Sequence, residues 1–226
     1  VRSLSILHAP AHAPSLNLAA LRFACGQGAD SIGFTEAYAM TRALRRRVGY
    51  RCRVGKSPVD TRGVVSPRGD AGDVPILVRR SNPIAWWHAE RVHGPGEPAK
   101  FAPERWLTQV AYEARVGGVD HIAAHPSPRF VDDGRAWDEY MVRLCQVVDR
   151  ARERGRYVVL TGDMQAAHSV DEALRDHGLI VWRVGIDVIA TSPGLRRVEA
   201  SRLVDPSQVR QAHPHPWLLA RYALDE

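Results

Sequence analysis

Cysteine is scarce in this chain and scattered where it occurs, with three in 226 residues at Cys25, Cys52 and Cys145. An odd number of widely spaced thiols argues against a disulfide framework and against a thiolate zinc knuckle. It suits a reducing interior, so an intracellular, cytoplasmic protein is expected. Long apolar runs are missing as well. No stretch approaches the roughly 18 apolar residues that a membrane span needs, and no basic region leads into an apolar one as a signal peptide would. There is no repeat of fixed period and no low-complexity tract. Several enzyme signatures are absent: the Gly-x-Ser-x-Gly nucleophile elbow, the Walker phosphate loop, the Rossmann glycine fingerprint and His-Glu-x-x-His. The histidine-containing motifs of calcineurin-like two-metal phosphoesterases are absent too.

What the chain does have is enough apolar residue to bury one large core. At 45% hydrophobic content over 226 residues, a single domain spanning 1–226 is expected. The formal net charge is +6. Part of the excess is concentrated in Arg42, Arg45, Arg46, Arg47, Arg51, Arg53 and Lys56. Such a cluster favours a polyanionic partner, nucleic acid first, although a solvated helix face running into a strand would carry the same residues.

Hydrophobic periodicity outlines the elements. Strands are expected at Leu4–Leu7 and Ala29–Phe34, with a helix capped by Ser15 between them and a second helix over Ala37–Arg47. Gly49–Val54 reads as a further strand, and Val74–Arg80 with Ile84–Val92 as a hairpin. Residues 57–73 and 94–103, rich in Pro and Gly, read as exposed loops. Strands at Trp106–Val116 and Val119–Ala124 precede a long helix from Trp137, in which Tyr140, Met141, Leu144, Val148 and Ala151 recur at helical spacing. Further strands follow at Tyr157–Asp163, Leu179–Arg183, Ile186–Ala190, Leu195–Leu203 and Trp217–Leu224. Strands joined partly by helices and partly by hairpins imply mixed sheets with helices outside, an α/β layered sandwich.

The segment Tyr157-Val-Val-Leu-Thr-Gly-Asp163-Met-Gln165 runs a buried-strand pattern into a Gly-Asp turn that presents a carboxylate. A turn former or helix N-cap would use the same residues. Its company gives the segment more weight. His8, Glu36, His125 and Asp163 each fall at the end of a strand, Asp187 falls within one, and His215 precedes the last. Acidic and imidazole groups gathered at one edge of a sheet are where a site is built.

Five segments in order, Gly33-Phe-Thr-Glu36, His121-Ile-Ala-Ala-His125-Pro, Thr161-Gly-Asp163-Met-Gln165, Gly185-Ile-Asp187-Val-Ile and His215-Pro-Trp-Leu-Leu-Ala-Arg-Tyr222, resemble the endonuclease/exonuclease/phosphatase superfamily, the deoxyribonuclease I-like fold. The resemblance covers nearly the whole chain. It implies a four-layer sandwich of two packed mixed β-sheets flanked by helices, and hydrolysis of phosphoester bonds with a divalent cation, Mg²⁺ first and Mn²⁺ second. It makes Glu36 a metal-binding carboxylate. Asp163 would stand against the attacking water or help hold the metal, and Gln165 would donate to a phosphate oxygen. His125 and His215 would address the scissile phosphate, with Asp187 orienting the His215 ring.

The sequence departs from the family pattern at three positions. His8 stands where the family has Asn, Gln165 stands for another Asn, and Pro214 replaces the aspartate before the C-terminal histidine. Pro214 cannot ligate a metal; His8 or His213 would have to stand in, and an imidazole-rich site suits Mn²⁺ or Zn²⁺ better than Mg²⁺. A metal-dependent nuclease is the expected function, with DNA preferred over RNA and with Arg45, Arg46, Arg47, Arg51 and Arg53 on the backbone. Two alternatives stay open: an inactive descendant that only binds nucleic acid or a protein, and a phosphatase acting on a lipid or other small phosphate ester.

Overall fold

The computed structural model describes residues 2–10, 18–35, 50–53, 74–92, 105–126, 134–165, 168–203 and 216–224. Twelve strands and three helices lie among them. The strands are β1 (Ser3–Pro10), β2 (Ser31–Thr35), β3 (Tyr50–Arg53), β4 (Ile76–Arg79), β5 (Ile84–Val92), β6 (Arg105–Ala114), β7 (Gly117–Ala124), β8 (Tyr157–Asp163), β9 (Ile180–Val184), β10 (Asp187–Thr191), β11 (Leu195–Leu203) and β12 (Trp217–Leu224). The helices are α1 (Leu18–Gly26), α2 (Gly134–Glu153) and α3 (His168–Asp176). The expected helix over Ala37–Arg47, the Ser15 cap and the loops at 57–73 and 94–103 lie outside the described residues.

The strands form two six-stranded sheets, in the orders β11-β12-β1-β2-β4-β3 and β5-β6-β7-β8-β10-β9. Each is mixed: β1 runs parallel to β2 and β7 parallel to β8, and the other pairs are antiparallel. A parallel pair needs a crossover, and helices α1 and α2 make the two that these sheets require.

Between the sheets, Leu4, Ile6, Ile76, Val78, Leu218 and Ala220 of the first meet Val110, Tyr112, Val119, Ala123, Val159 and Ile189 of the second. On the outer face of the second sheet, α2 turns Trp137, Tyr140, Met141, Leu144, Val148 and Ala151 onto Ile122, Val158, Leu160 and Val188. These are the residues whose helical spacing marks that face in the sequence. Burying each large side chain contributes about 1.5–3 kcal/mol. On the outer face of the first sheet, Phe23 of α1 packs against Trp217 with ring centroids 5.5 Å apart. The result is the expected α/β/β/α layering.

One expected pairing is not formed. Val74–Arg80 and Ile84–Val92 are not a hairpin: β4 pairs with β2 and β3 in the first sheet, whereas β5 pairs with β6 in the second. Both edges of β4 are occupied, so no edge is left for β5. The connection crosses from sheet to sheet, turned by the Asn82 amide donating to the Arg79 carbonyl at 2.9 Å and tied down by Asn82 Nδ2 donating to Asp30 Oδ1 at 3.2 Å. Trp86 and Trp87 therefore divide between faces: Trp87 packs on the inter-sheet core, and Trp86 lies under Arg154 at 4.4 Å.

Candidate active site

Side chains alternate along a strand, so residues two apart share a face. In β7 and just beyond, His121, Ala123 and His125 face the first sheet, as Val159, Thr161 and Asp163 do in β8. Asp163 and Asp187 are directly paired across β8 and β10, and both are buried. In the first sheet, His8 of β1 lies beside Gly33 of β2. Parallel β1 and β2 end together, as do parallel β7 and β8, so four strand ends and the start of β10 converge at one edge of the sandwich.

Two carboxylate–imidazole pairs occupy this edge. His8 Nε2 donates to Asp187 Oδ1 at 2.9 Å, a bond that spans the two sheets between side chains 0% and 1% exposed. His125 Nε2 stands 3.9 Å from Asp163 Oδ2, ion-pair range rather than hydrogen-bond range. The other carboxylate oxygen, Asp163 Oδ1, accepts from both the Gln165 backbone amide at 3.1 Å and Gln165 Nε2 at 3.0 Å. Gln165 sits at φ 55, a left-handed conformation that glutamine adopts less readily than asparagine. The loop is braced by Met164 N donating to the Ile186 carbonyl at 2.8 Å and by Arg183 Nη1 donating to the Gln165 carbonyl at 2.9 Å. Arg183 also grips Asp171 of α3 at 2.6 Å, which couples that helix to the loop.

Deeper between the sheets lies a polar column that the sequence reading did not single out. Ser31 Oγ meets Tyr112 Oη and His121 Nδ1, each at 2.7 Å, and His121 Nε2 meets Thr161 Oγ1 at 2.9 Å. Burial, with a smaller contribution from nearby His8, pushes the His121 pKa down to about 3, so its ring is neutral. Gly33 makes room for this column, since a Cβ there would overlap Thr161 Oγ1 and come within 3.0 Å of His121 Nε2. The signal was present in His121-x-x-x-His125, whose even spacing puts both rings on one face of an extended strand.

The sequence-predicted residues are partly assembled. His8, His125, Asp163, Gln165 and Asp187 are brought to one edge. Asp187 bonds His8, and its expected pairing with the His215 ring lies outside the described residues. Glu36, His215, Arg45, Arg46 and Arg47 lie outside the described residues, as do His213 and Pro214, while Arg51 and Arg53 belong to β3, at the rim of the first sheet. Among the described residues no three His, Cys, Asp or Glu side chains form a ready metal centre.

The donor set nevertheless fits a hard or borderline divalent cation. Two buried carboxylates on directly opposed residues repel each other unless positive charge lies near. Two polar atoms at the same edge, His8 Nδ1 and Thr35 Oγ1 at the end of β2, are buried with no hydrogen-bond partner. Glu36 follows Thr35 directly in the chain.

No protein-family model matches the sequence, and no curated protein matches it. Solved structures do. The human Nocturnin catalytic domain, determined with a bound sulfate anion, superposes with a TM-score of 0.71 at 14% identity, covering 100% of this chain and 96% of that one. An endonuclease/exonuclease/phosphatase from Beutenbergia cavernae gives 0.69 at 13% identity over 99% of this chain and 72% of the other. ANGEL2, described as a 2′,3′-cyclic phosphatase, gives 0.68 at 10% identity over 98% and 95%. With two mixed six-stranded sheets packed face to face between helices, and with these matches over its whole length, the chain has the endonuclease/exonuclease/phosphatase fold.

Proposed function

We propose that this protein is a metal-dependent phosphoester hydrolase that cleaves the phosphodiester backbone of nucleic acid, DNA in preference to RNA. The observation that carries the reading is the meeting of His8–Asp187 and His125–Asp163 at one edge of the sandwich. In this reading Asp163 accepts a proton from the attacking water. Its Oδ1 is held by Gln165, which leaves Oδ2 directed toward His125. His125 donates to a non-bridging phosphate oxygen, and His215 is assigned the leaving-group side. Glu36, His8 and Asp163 are the residues assigned to a divalent cation, which when bound offsets the charge of the phosphate and lowers the pKa of water. The bound sulfate of Nocturnin and the cyclic phosphatase activity named for ANGEL2 support phosphate chemistry in this fold.

Nucleic acid is proposed as the partner on the net charge of +6, with Arg45, Arg46, Arg47, Arg51 and Arg53 along the backbone. The test sets supercoiled plasmid beside a small phosphomonoester, with the same divalent cations in both. Nicked plasmid, suppressed steeply by added salt, with little inorganic phosphate released is the expected result. Phosphate release without nicking would make the protein a phosphatase of small esters. Salt-sensitive DNA binding with neither product would make it an inactive binding descendant.

A further inference from the structure

Two of the buried histidines between the sheets, His8 and His121, are satisfied differently. His121 has both ring nitrogens bonded, one to Ser31 and one to Thr161. Its role is accounted for by the column it completes. His8 is equally buried but has only Nε2 bonded, to Asp187, while Nδ1 is enclosed without a hydrogen-bond partner. Since a carboxylate oxygen only accepts, the hydrogen of a neutral His8 ring sits on Nε2, and Nδ1 then carries a lone pair. A buried lone pair facing no donor is a destabilising arrangement unless something electrophilic takes it.

We infer that the Asp187–His8 pair delivers His8 Nδ1 as a nitrogen ligand to the divalent cation, making the site selective for Mn²⁺ over Mg²⁺. The inference rests on the phosphoesterase reading above. A carboxylate that accepts from the far nitrogen of an imidazole fixes its tautomer and raises its basicity toward a metal. Here the carboxylate comes from the second sheet and the imidazole from the first, so the ligand is held by the packing of the sandwich itself. Mg²⁺ takes oxygen donors almost exclusively, whereas Mn²⁺ accepts a nitrogen within a mainly oxygen set.

Calorimetric titration of the full chain with Mn²⁺ and with Mg²⁺ reads the selectivity, in wild type, His8→Asn and Asp187→Asn. Wild type is expected to bind Mn²⁺ at least about tenfold tighter than Mg²⁺. His8→Asn should abolish that difference by weakening Mn²⁺ alone, and Asp187→Asn should weaken Mn²⁺ about tenfold. A second readout needs no variant: crystals of wild type soaked in Mn²⁺ should show an anomalous peak at ligand distance from His8 Nδ1. Equal affinity for the two ions, or a Mn²⁺ peak away from His8, overturns the inference. If plasmid is still nicked in that case, the phosphoesterase reading stands; if no ion binds and nothing is nicked, both fall.

Discussion

His121 shows how a single buried side chain sets a condition on the whole protein. Its ring is enclosed between Ser31 and Thr161, and burial lowers its pKa from an ordinary 6.5 to about 3. Below about pH 6.5 the unfolded chain takes up a proton on this ring that the native one does not, until the pH nears 3. Stability therefore falls as pH drops through that window, with this residue contributing to the fall. Urea unfolding at pH 7, 6, 5 and 4 should show this decline, and His121→Asn should flatten it. An unchanged slope in the variant would mean that other groups cause it. Gly33 belongs to the same column, and its role was not legible in the sequence. A glycine in a strand signals a close approach, but only the packed sheets reveal that Thr161 is what approaches.

At the scale of elements, the sequence is most readable where one face is buried and one is not. The α2 stripe and the alternation through His121, Ala123 and His125 each identify a face without knowledge of the partner. Pairing is less legible. Ile76, Leu77 and Val78 of β4 are buried on both faces, and such a run carries no alternation to say which sheet it joins. Proximity in sequence suggested a hairpin with β5, yet the two strands lie in opposite sheets. The His8–Asp187 bond was illegible for a similar reason, because it joins residues 179 apart. Arg183 is another long-range tie, holding Asp171 and the carbonyl of Gln165 together. Arg183→Ala leaves the buried Asp171 carboxylate with only the longer Arg175 contact at 3.7 Å and should cost about 1–3 kcal/mol, read by urea unfolding. It should also lower nicking, since the loop carrying Asp163 loses its brace. Normal stability and activity in this variant would remove Arg183 from the account.

For the whole molecule, the two sheets act as the jaws that bring the site together. His8 comes from the first, and His125, Asp163 and Asp187 come with the second. The His8–Asp187 bond joins the two sheets, so the arrangement at this edge depends on the sandwich being packed. Among the described residues no helix is long and apolar enough to cross a membrane. The central claim is metal-dependent hydrolysis by this edge, and one measurement tests it most directly: nicking of supercoiled plasmid with Mn²⁺ or Mg²⁺, with EDTA, Asp163→Ala and His125→Ala run from parallel preparations. The account predicts nicking that EDTA abolishes and that each substitution lowers by at least about a hundredfold. Nicking that survives EDTA, or that persists at full rate in Asp163→Ala, would contradict it.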